Sequence, residues 1–292
     1  MADESRSDGT GIGPPGELIR QVLREAIEDR ITAEAARAAY YFFLSLFPLL
    51  LAIFSLTGIF GGDQAFEWIV AHLRAALPGD AALYLEQFVR DVTGESRPGI
   101  LSFSILFIFW SASNVFVAVT EGLNRMYDLE ETRSWWFRRL LALVAVIAAA
   151  ILLVGGSASL LAGPELLELL GLATVWSILR WPLAVILLVL LMWLVYYLLP
   201  DRDQGGSAGP TLLGAGIGTS LWLLATWGFR VYVSHFGSYS ETYGFVGGII
   251  VLMLWLYLTA MTILFGGEIA ATVEQRATDG WEVGQPPPNV HD

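Results

Sequence analysis

Asn114, Val117, Glu121 and Asn124 recur at helical spacing and share one helix face, flanked by Ser113 and Thr120. Carboxyl and amide groups in such a row can bind ions or exchange hydrogen bonds with a solute or a neighbouring helix. A second row, Tyr257, Met261, Leu264 and Glu268, lies on one face of another helix and ends in a carboxyl just after Gly266 and Gly267. Glu121 and Glu268 both stand at the ends of apolar runs. They are expected to face each other across a vestibule open to the cytoplasm, with Glu268 solvated or paired with Arg202 or an arginine of the 121–139 segment. Pro48 sits in the middle of a third apolar run, where it removes one backbone hydrogen bond and clashes with the carbonyl of Leu44. It reads as a tolerated kink or as a hinge beside a cavity. Pro48, Ser113, Asn114, Glu121, Asn124, Tyr257 and Glu268 are therefore the candidate solute pathway. The same polar face also fits plain hydrogen bonding between helices.

Other chemistry is poorly supplied. His72, His235 and His291 are scattered and form no metal-ligand pattern. No GxSxG elbow or phosphate loop occurs. Asp201 and Asp203 lie in a short polar loop and read as a solvated turn rather than as a weak metal site. Cysteine is absent, which excludes disulfides, thiol nucleophiles and cysteine metal sites. Neither catalytic residues nor a metal or other cofactor are expected, so the chain does not read as an enzyme. All 16 basic residues are arginine against 28 acidic ones, for a net charge of -12. No basic cluster is large enough to displace phosphate counterions, so nucleic acid is not an expected partner.

What must position the two polar rows is a set of apolar rods. The 292 residues are 55% hydrophobic and 15% charged, where soluble domains carry roughly a quarter charged residues. Six stretches without Asp, Glu, Lys or Arg are long enough to cross a bilayer: 38–62, 98–120, 140–164, 181–200, 204–229 and 242–267. Backbone in lipid must satisfy its own hydrogen bonds, and ten-residue strand alternation is missing. The expected fold is all-α, a polytopic membrane protein of six transmembrane helices, with the bilayer as its main partner. If the N-terminus is inside, the inner segments hold Arg6, Arg20, Arg24, Arg30, Arg37, Arg125, Arg133, Arg138, Arg139, Arg202 and Arg276. The outer segments hold Arg74, Arg90, Arg97, Arg180 and Arg230. That eleven-to-five bias puts both termini in the cytoplasm.

Between the spans, residues 17–31 carry Ile19, Leu23, Ile27 and Ile31 as an apolar stripe on a charged helix. This helix is expected on the inner membrane surface or under the bundle, with Thr32 as N-cap of the first span. The 63–97 outer loop reads as two short amphipathic helices broken at Pro78-Gly79-Asp80, and the 164–179 loop as a short interfacial helix. Residues 1–16 and 277–292 read as disordered tails around one domain at 17–276. Small-residue pairs mark close helix packing: Gly155 and Ser159, Gly214 and Gly218, Gly244 and Gly248. Oligomeric state is not readable from these pairs.

Several segments resemble one family. Residues 40–51 read YYFFLSLFPLLL, and Trp110-Ser111-Ala112-Ser113 and Gly122-Leu123-Asn124 follow, the latter ahead of Tyr127. Further on come Tyr197 with Pro200, Gly209-Pro210, Gly214-Ala215 and Trp222. The last are Tyr243-Gly244, Trp255-Leu256-Tyr257 and Leu264-Phe265-Gly266-Gly267-Glu268. Over about 35–275 this is similar to the YihY/BrkB family, whose most specific motifs are the opening YYxxLSLxP and the closing GGE. The resemblance implies a six-span protein of the bacterial inner membrane. It also implies a role in envelope biology or in transport of a lipid-like or small solute. Members have carried a ribonuclease label regarded as mistaken, and the family transfers no catalytic residues. Three readings follow: a transporter or exporter, a scaffold of the envelope, or a membrane-bound hydrolase, for which no nucleophile or metal cluster is visible.

Overall fold

The structure is a computed structural model that describes residues 15–60, 98–152, 173–202, 206–235 and 237–278. Among these, every regular element is a helix: α1 Pro15–Glu28, α2 Ile31–Phe60, α3 Pro98–Met126, α4 Trp135–Ala150, α5 Ala173–Leu198, α6 Ala208–His235 and α7 Gly237–Thr278. The 63–97 and 164–172 segments, Gly155, Ser159 and nearly all of both tails lie outside the described residues.

Charge ends an apolar run without ending a helix, so the helices outrun the stretches that announced them. α5 begins before Arg180, and α6 continues past Arg230 to His235. α7, 42 residues long in all, continues past Glu268 to Thr278. Long arginine stems let such residues reach water from an apolar helix. The start of the chain needs a correction. α1 and α2 are joined by a tight turn in which Asp29 N–H donates to the Glu25 carbonyl, and Arg30 takes φ 53°. Thr32 is therefore the second residue of α2 and not its N-cap. α4 does open on a side-chain cap, Ser134 Oγ accepting from Phe137 N–H at 3.4 Å.

Three helical segments among the described residues are long and apolar enough to cross a membrane: Thr174–Leu198, Ala208–Val233 and Val246–Ala277. Their large side chains point outward. Ile178 and Trp181 on α5, Leu224 and Trp227 on α6, and Val246 and Ile250 on α7 are all exposed. A water-soluble bundle would bury these residues, whereas lipid does not penalise them. Small and polar residues, Ala35, Ala38, Ser113, Ala118, Thr211, Ala215, Thr219, Ala260 and Ala270, are buried beside the larger Leu123, Tyr196, Leu199 and Leu264.

α7 is the central post, touching α1, α2, α3, α5 and α6; α2 packs on α3, α5 on α6, and α4 on α3 and α5. The starts of α2, α4 and α6 meet the ends of α3, α5 and α7 in one polar layer. Arg125 reaches Glu34, Arg138 reaches Glu121, and Ser207 N–H donates to Glu274. α1 lies against the last turns of α7. Val22 packs with Ile269 and Val273, Arg276 donates to Gln21, and Thr272 donates to Glu25 at 2.8 Å. Of the expected stripe, Ile19, Leu23 and Ile27 face away from the bundle, between 49% and 77% exposed, whereas Ile31 begins α2 and is buried in the core. The stripe that packs inward is Leu18, Val22 and Ala26.

Candidate functional site

The polar face of α3 is lined with arginines from its neighbours. Asn114 accepts from Arg139 of α4 at 2.7 Å, and the buried Arg139 guanidinium lies 3.8 Å above the Trp110 ring. Two turns on, Glu121 accepts from Arg37 of α2 at 2.5 Å and pairs with Arg138 at 3.5 Å. Arg37 also holds Glu34 at 2.6 Å, and Arg125 reaches the other oxygen of Glu34 at 3.3 Å. Asn124 donates to Glu131 and accepts from the Asp201 N–H, both at 2.8 Å. Ser113 and Thr120 satisfy themselves locally, donating to the carbonyls of Trp110 and Phe116. Glu121 and Asn124 also line an open depression of about 380 Å³, together with Arg125, Asp128, Leu129, Glu130 and Glu131. The α3 face thus runs from the depression into the bundle. Pro48 is fully buried within α2, and half-buried Tyr257 packs against the central core.

The loop after α3 is clamped to the loop after α5. Arg133 pairs with Glu131 at 2.8 Å and Asp201 at 3.3 Å and donates to the Leu199 carbonyl at 2.8 Å. The Thr132 N–H and hydroxyl both donate to Asp201 Oδ2. Burial pulls the Asp201 carboxyl upward, but these hydrogen bonds and Arg133 outweigh it and hold the group below its ordinary range.

Glu268 lies elsewhere in the polar layer and does not pair with Arg202. That arginine binds Glu274 at 3.3 Å and stacks 4.1 Å from the Tyr127 ring. Glu268 is completely buried, and neither of its carboxyl oxygens has a hydrogen-bond donor. Its charged neighbours are the acids Asp29, Glu25 and Asp128. Asp29, in the α1–α2 turn, is pushed up to about 6 by burial and then by Asp128 and Glu25. The folded state therefore holds this proton more tightly than the unfolded chain. The Asp29 penalty is absent below the ordinary carboxylate value of 3.8, grows as pH rises toward 6 and is complete above it. Asp29→Asn is expected to stabilise the protein at neutral pH and to flatten the fall in stability between pH 4 and pH 6. Thermal unfolding in detergent across that window checks this; an unchanged slope would contradict it.

The rigid seam is between α6 and α7. A Cβ on Gly214 would lie 2.5 Å from the Gly266 carbonyl, and one on Gly218 would lie 2.9 Å from the Tyr196 hydroxyl. The Tyr196 ring is fully buried, and its hydroxyl donates to the Ile263 carbonyl at 2.6 Å. Both Gly214 and Gly218 lie close against Gly266 of α7. Gly244 and Gly248 both lie in the first half of α7, with Gly248 half-buried.

Residues that spacing alone did not single out are Glu25, Asp29, Glu34, Arg37, Arg139 and Tyr196. Arg138 and Arg139 counted only toward the inside charge bias, and nothing in the sequence named Asn114 as a partner of Arg139.

Apolar helices that turn many large side chains outward, around a core that also holds buried polar groups, define a helical integral membrane protein. The family model described as virulence factor BrkB matches residues 22–289, and the chain belongs to that family. A Bacillus subtilis relative, YfkH, whose name calls it ribonuclease-like, is 34% identical over 252 residues, covering 84% of this chain and 90% of the relative. A UPF0761 membrane protein of Tolumonas auensis is 28% identical over 86% of this chain and 83% of its own length. Another, from Vibrio vulnificus, is 27% identical over 89% and 83%. No solved structure matches the chain.

Proposed function

We propose that the protein is a six-span transporter or exporter of the bacterial inner membrane, with both termini cytoplasmic, that moves a lipid-like or small solute. The observation that carries this reading is the continuity of the α3 polar face with the depression, since Glu121 and Asn124 belong to both. A polar row inside a membrane bundle is costly unless it is used. Arg37, Arg138 and Arg139 along it favour a solute with an anionic group. The shared polar layer at alternate helix ends supports six antiparallel spans, and the outward stripe of α1 suits a helix lying in the inner headgroup region. Nothing in the polar rows resembles hydrolytic machinery, and the name of YfkH carries no residue across to this chain.

A scaffold is the second reading, and a specific observation favours it. Asn114, Glu121 and Asn124 already have partners within the chain. The chain has no cysteine, so single cysteines can be read without background. In the transporter, Val117→Cys and Glu121→Cys react with a membrane-impermeant thiol reagent from the cytoplasmic side. In a sealed scaffold, Val117→Cys stays unreactive in folded protein. In a deletion strain, wild type restores the normal lipid profile, whereas an Asn114→Ala/Glu121→Gln double variant that reaches the membrane at wild-type level does not. Full restoration by that variant would end the transport reading.

A further inference from the structure

We propose that Glu268 is a proton-binding site, holding its proton in a carboxyl pocket shared with Glu25 and Asp29, and that this proton is the coupling ion for transport. The coupling half rests on the transport reading; the binding half does not. The argument begins with burial. Glu268 has no exposed surface and no donor to either carboxyl oxygen, while nearly every other carboxylate of the polar layer named above has a cation or donor. An ionised carboxylate in that setting costs several kcal/mol, and such a group takes up a proton instead.

The surroundings admit no other compensation. From α1, Glu25 faces Glu268, and its two oxygens already accept from Gln21 and Thr272 at 2.8 Å. From the α1–α2 turn, Asp29 faces it. α2 contributes Glu34 one turn away, spoken for by Arg37 and Arg125. The end of α3 contributes Asp128, Arg125 and Tyr127. Arg125 also acts on Asp29, and burial pushes the Tyr127 phenol up, so it stays neutral. Arg202 is committed to Glu274 and the Tyr127 ring. α6 faces this part of α7 with Gly214, Ala215 and Gly218, which carry no charge.

Asp29 and Glu25 are the acids that act most strongly on Glu268. Two carboxylates have no hydrogen to share, so a hydrogen bond between any two of these groups requires that one of them carry a proton. No three Asp, Glu or His side chains among the described residues are placed to hold a metal ion. Asp29 is only half-buried, so it forms the exit. The Glu268 O–H breaks, the proton passes to the Asp29 carboxylate, and from there to water at the polar end. Glu268 is then a buried anion, and solute movement must accompany its reprotonation.

The test uses dicyclohexylcarbodiimide, which modifies protonated carboxyls in apolar surroundings. Full-length protein in lipid nanodiscs is treated across a pH series and the modified peptide located by mass spectrometry. The expected result is labelling at Glu268 at neutral pH that falls as pH rises, its absence in Glu268→Gln, and a displaced midpoint in Asp29→Asn. Asp29→Asn keeps the test open if Glu268→Gln fails to fold. An unlabelled Glu268 in monodisperse protein at every pH overturns the site. So does protection by sodium chloride at constant pH, which would assign the pocket to a sodium ion. For coupling, Glu268→Gln is expected to lose restoration of the deletion strain's lipid profile while reaching the membrane normally. pH-dependent labelling together with retained restoration leaves the site standing and overturns coupling. If neither wild type nor any variant alters the profile, the transport reading and coupling fall together while the labelling result stands.

Discussion

Gly266→Val is expected to remove most folded protein from a detergent extract. The site has no room for any side chain. A Cβ there would stand 2.5 Å from the Tyr196 hydroxyl, 2.8 Å from the Gly218 Cα and 3.0 Å from the Gly214 carbonyl. Two of those three neighbours are backbone of α6 and cannot swing aside. Relief requires α6 and α7 to separate, and α7 is the post on which most of the bundle is hung. Overpacking of this kind costs about 3 kcal/mol or more. For a chain of this size that corresponds to a fall in Tm of about 6–12 °C. Adding Tyr196→Phe relieves only the hydroxyl contact and is expected to restore little. Gly216, two residues from Gly214 and Gly218 on the same helix, would have nothing within 4 Å of an added Cβ, so Gly216→Ala should be neutral. Size-exclusion profiles and thermal unfolding of the three variants decide the matter. A monodisperse Gly266→Val protein with wild-type Tm would show that the seam is not tight.

Arg133→Met carries the second large effect. The substitution keeps an apolar stem and deletes the guanidinium that joins Glu131, Asp201 and the Leu199 carbonyl. These side chains are mostly enclosed, at 12% exposure for Arg133, 16% for Glu131 and 13% for Asp201. Removing one member of an enclosed ion pair leaves the other's desolvation uncompensated, here about 2–4 kcal/mol. The loss would be local as well as global. The 127–134 loop is expected to become a site of limited proteolysis, because Arg133 and Thr132 are what tie it to Asp201. Asp201→Asn should lose less, since an amide oxygen still accepts from Thr132. Equal protease resistance in wild type and Arg133→Met would refute the clamp.

How much of this was readable beforehand depends on which physical signal each feature leaves. Apolar length is a strong signal, and α5, α6 and α7 stand where the charge-free runs fall. Helix ends are weaker, because Arg180, Arg230 and Glu268 interrupt a hydrophobic run without disturbing backbone hydrogen bonds. The α3 face was legible from spacing, since 114, 117, 121 and 124 can only line one side of a helix. Its partners were not, because periodicity names a face and says nothing of the helix opposite. Thus Arg139 counted only toward the charge bias, while its guanidinium bonds Asn114 and lies over the Trp110 ring. α1 shows the same limit. Spacing named the Ile19, Leu23 and Ile27 stripe, which faces away from the bundle, but not the narrower Leu18, Val22 and Ala26 stripe that packs. Close approach to α7 needs small side chains, and lipid accepts the large ones. Gly214 and Gly218 announced a tight contact, but only the geometry identifies Gly266 across from them and the Tyr196 hydroxyl wedged between.

The docking of α1 on the last turns of α7 fastens the first and last described helices to each other. Quality-control machines that dismantle membrane proteins thread a loose tail and tug. Here a tug on either tail loads the Gln21–Arg276 and Glu25–Thr272 bonds before any span can be drawn out. Degradation would then begin only after that buckle is unfastened, so variants that open it should disappear from cells sooner than their melting temperatures alone would suggest.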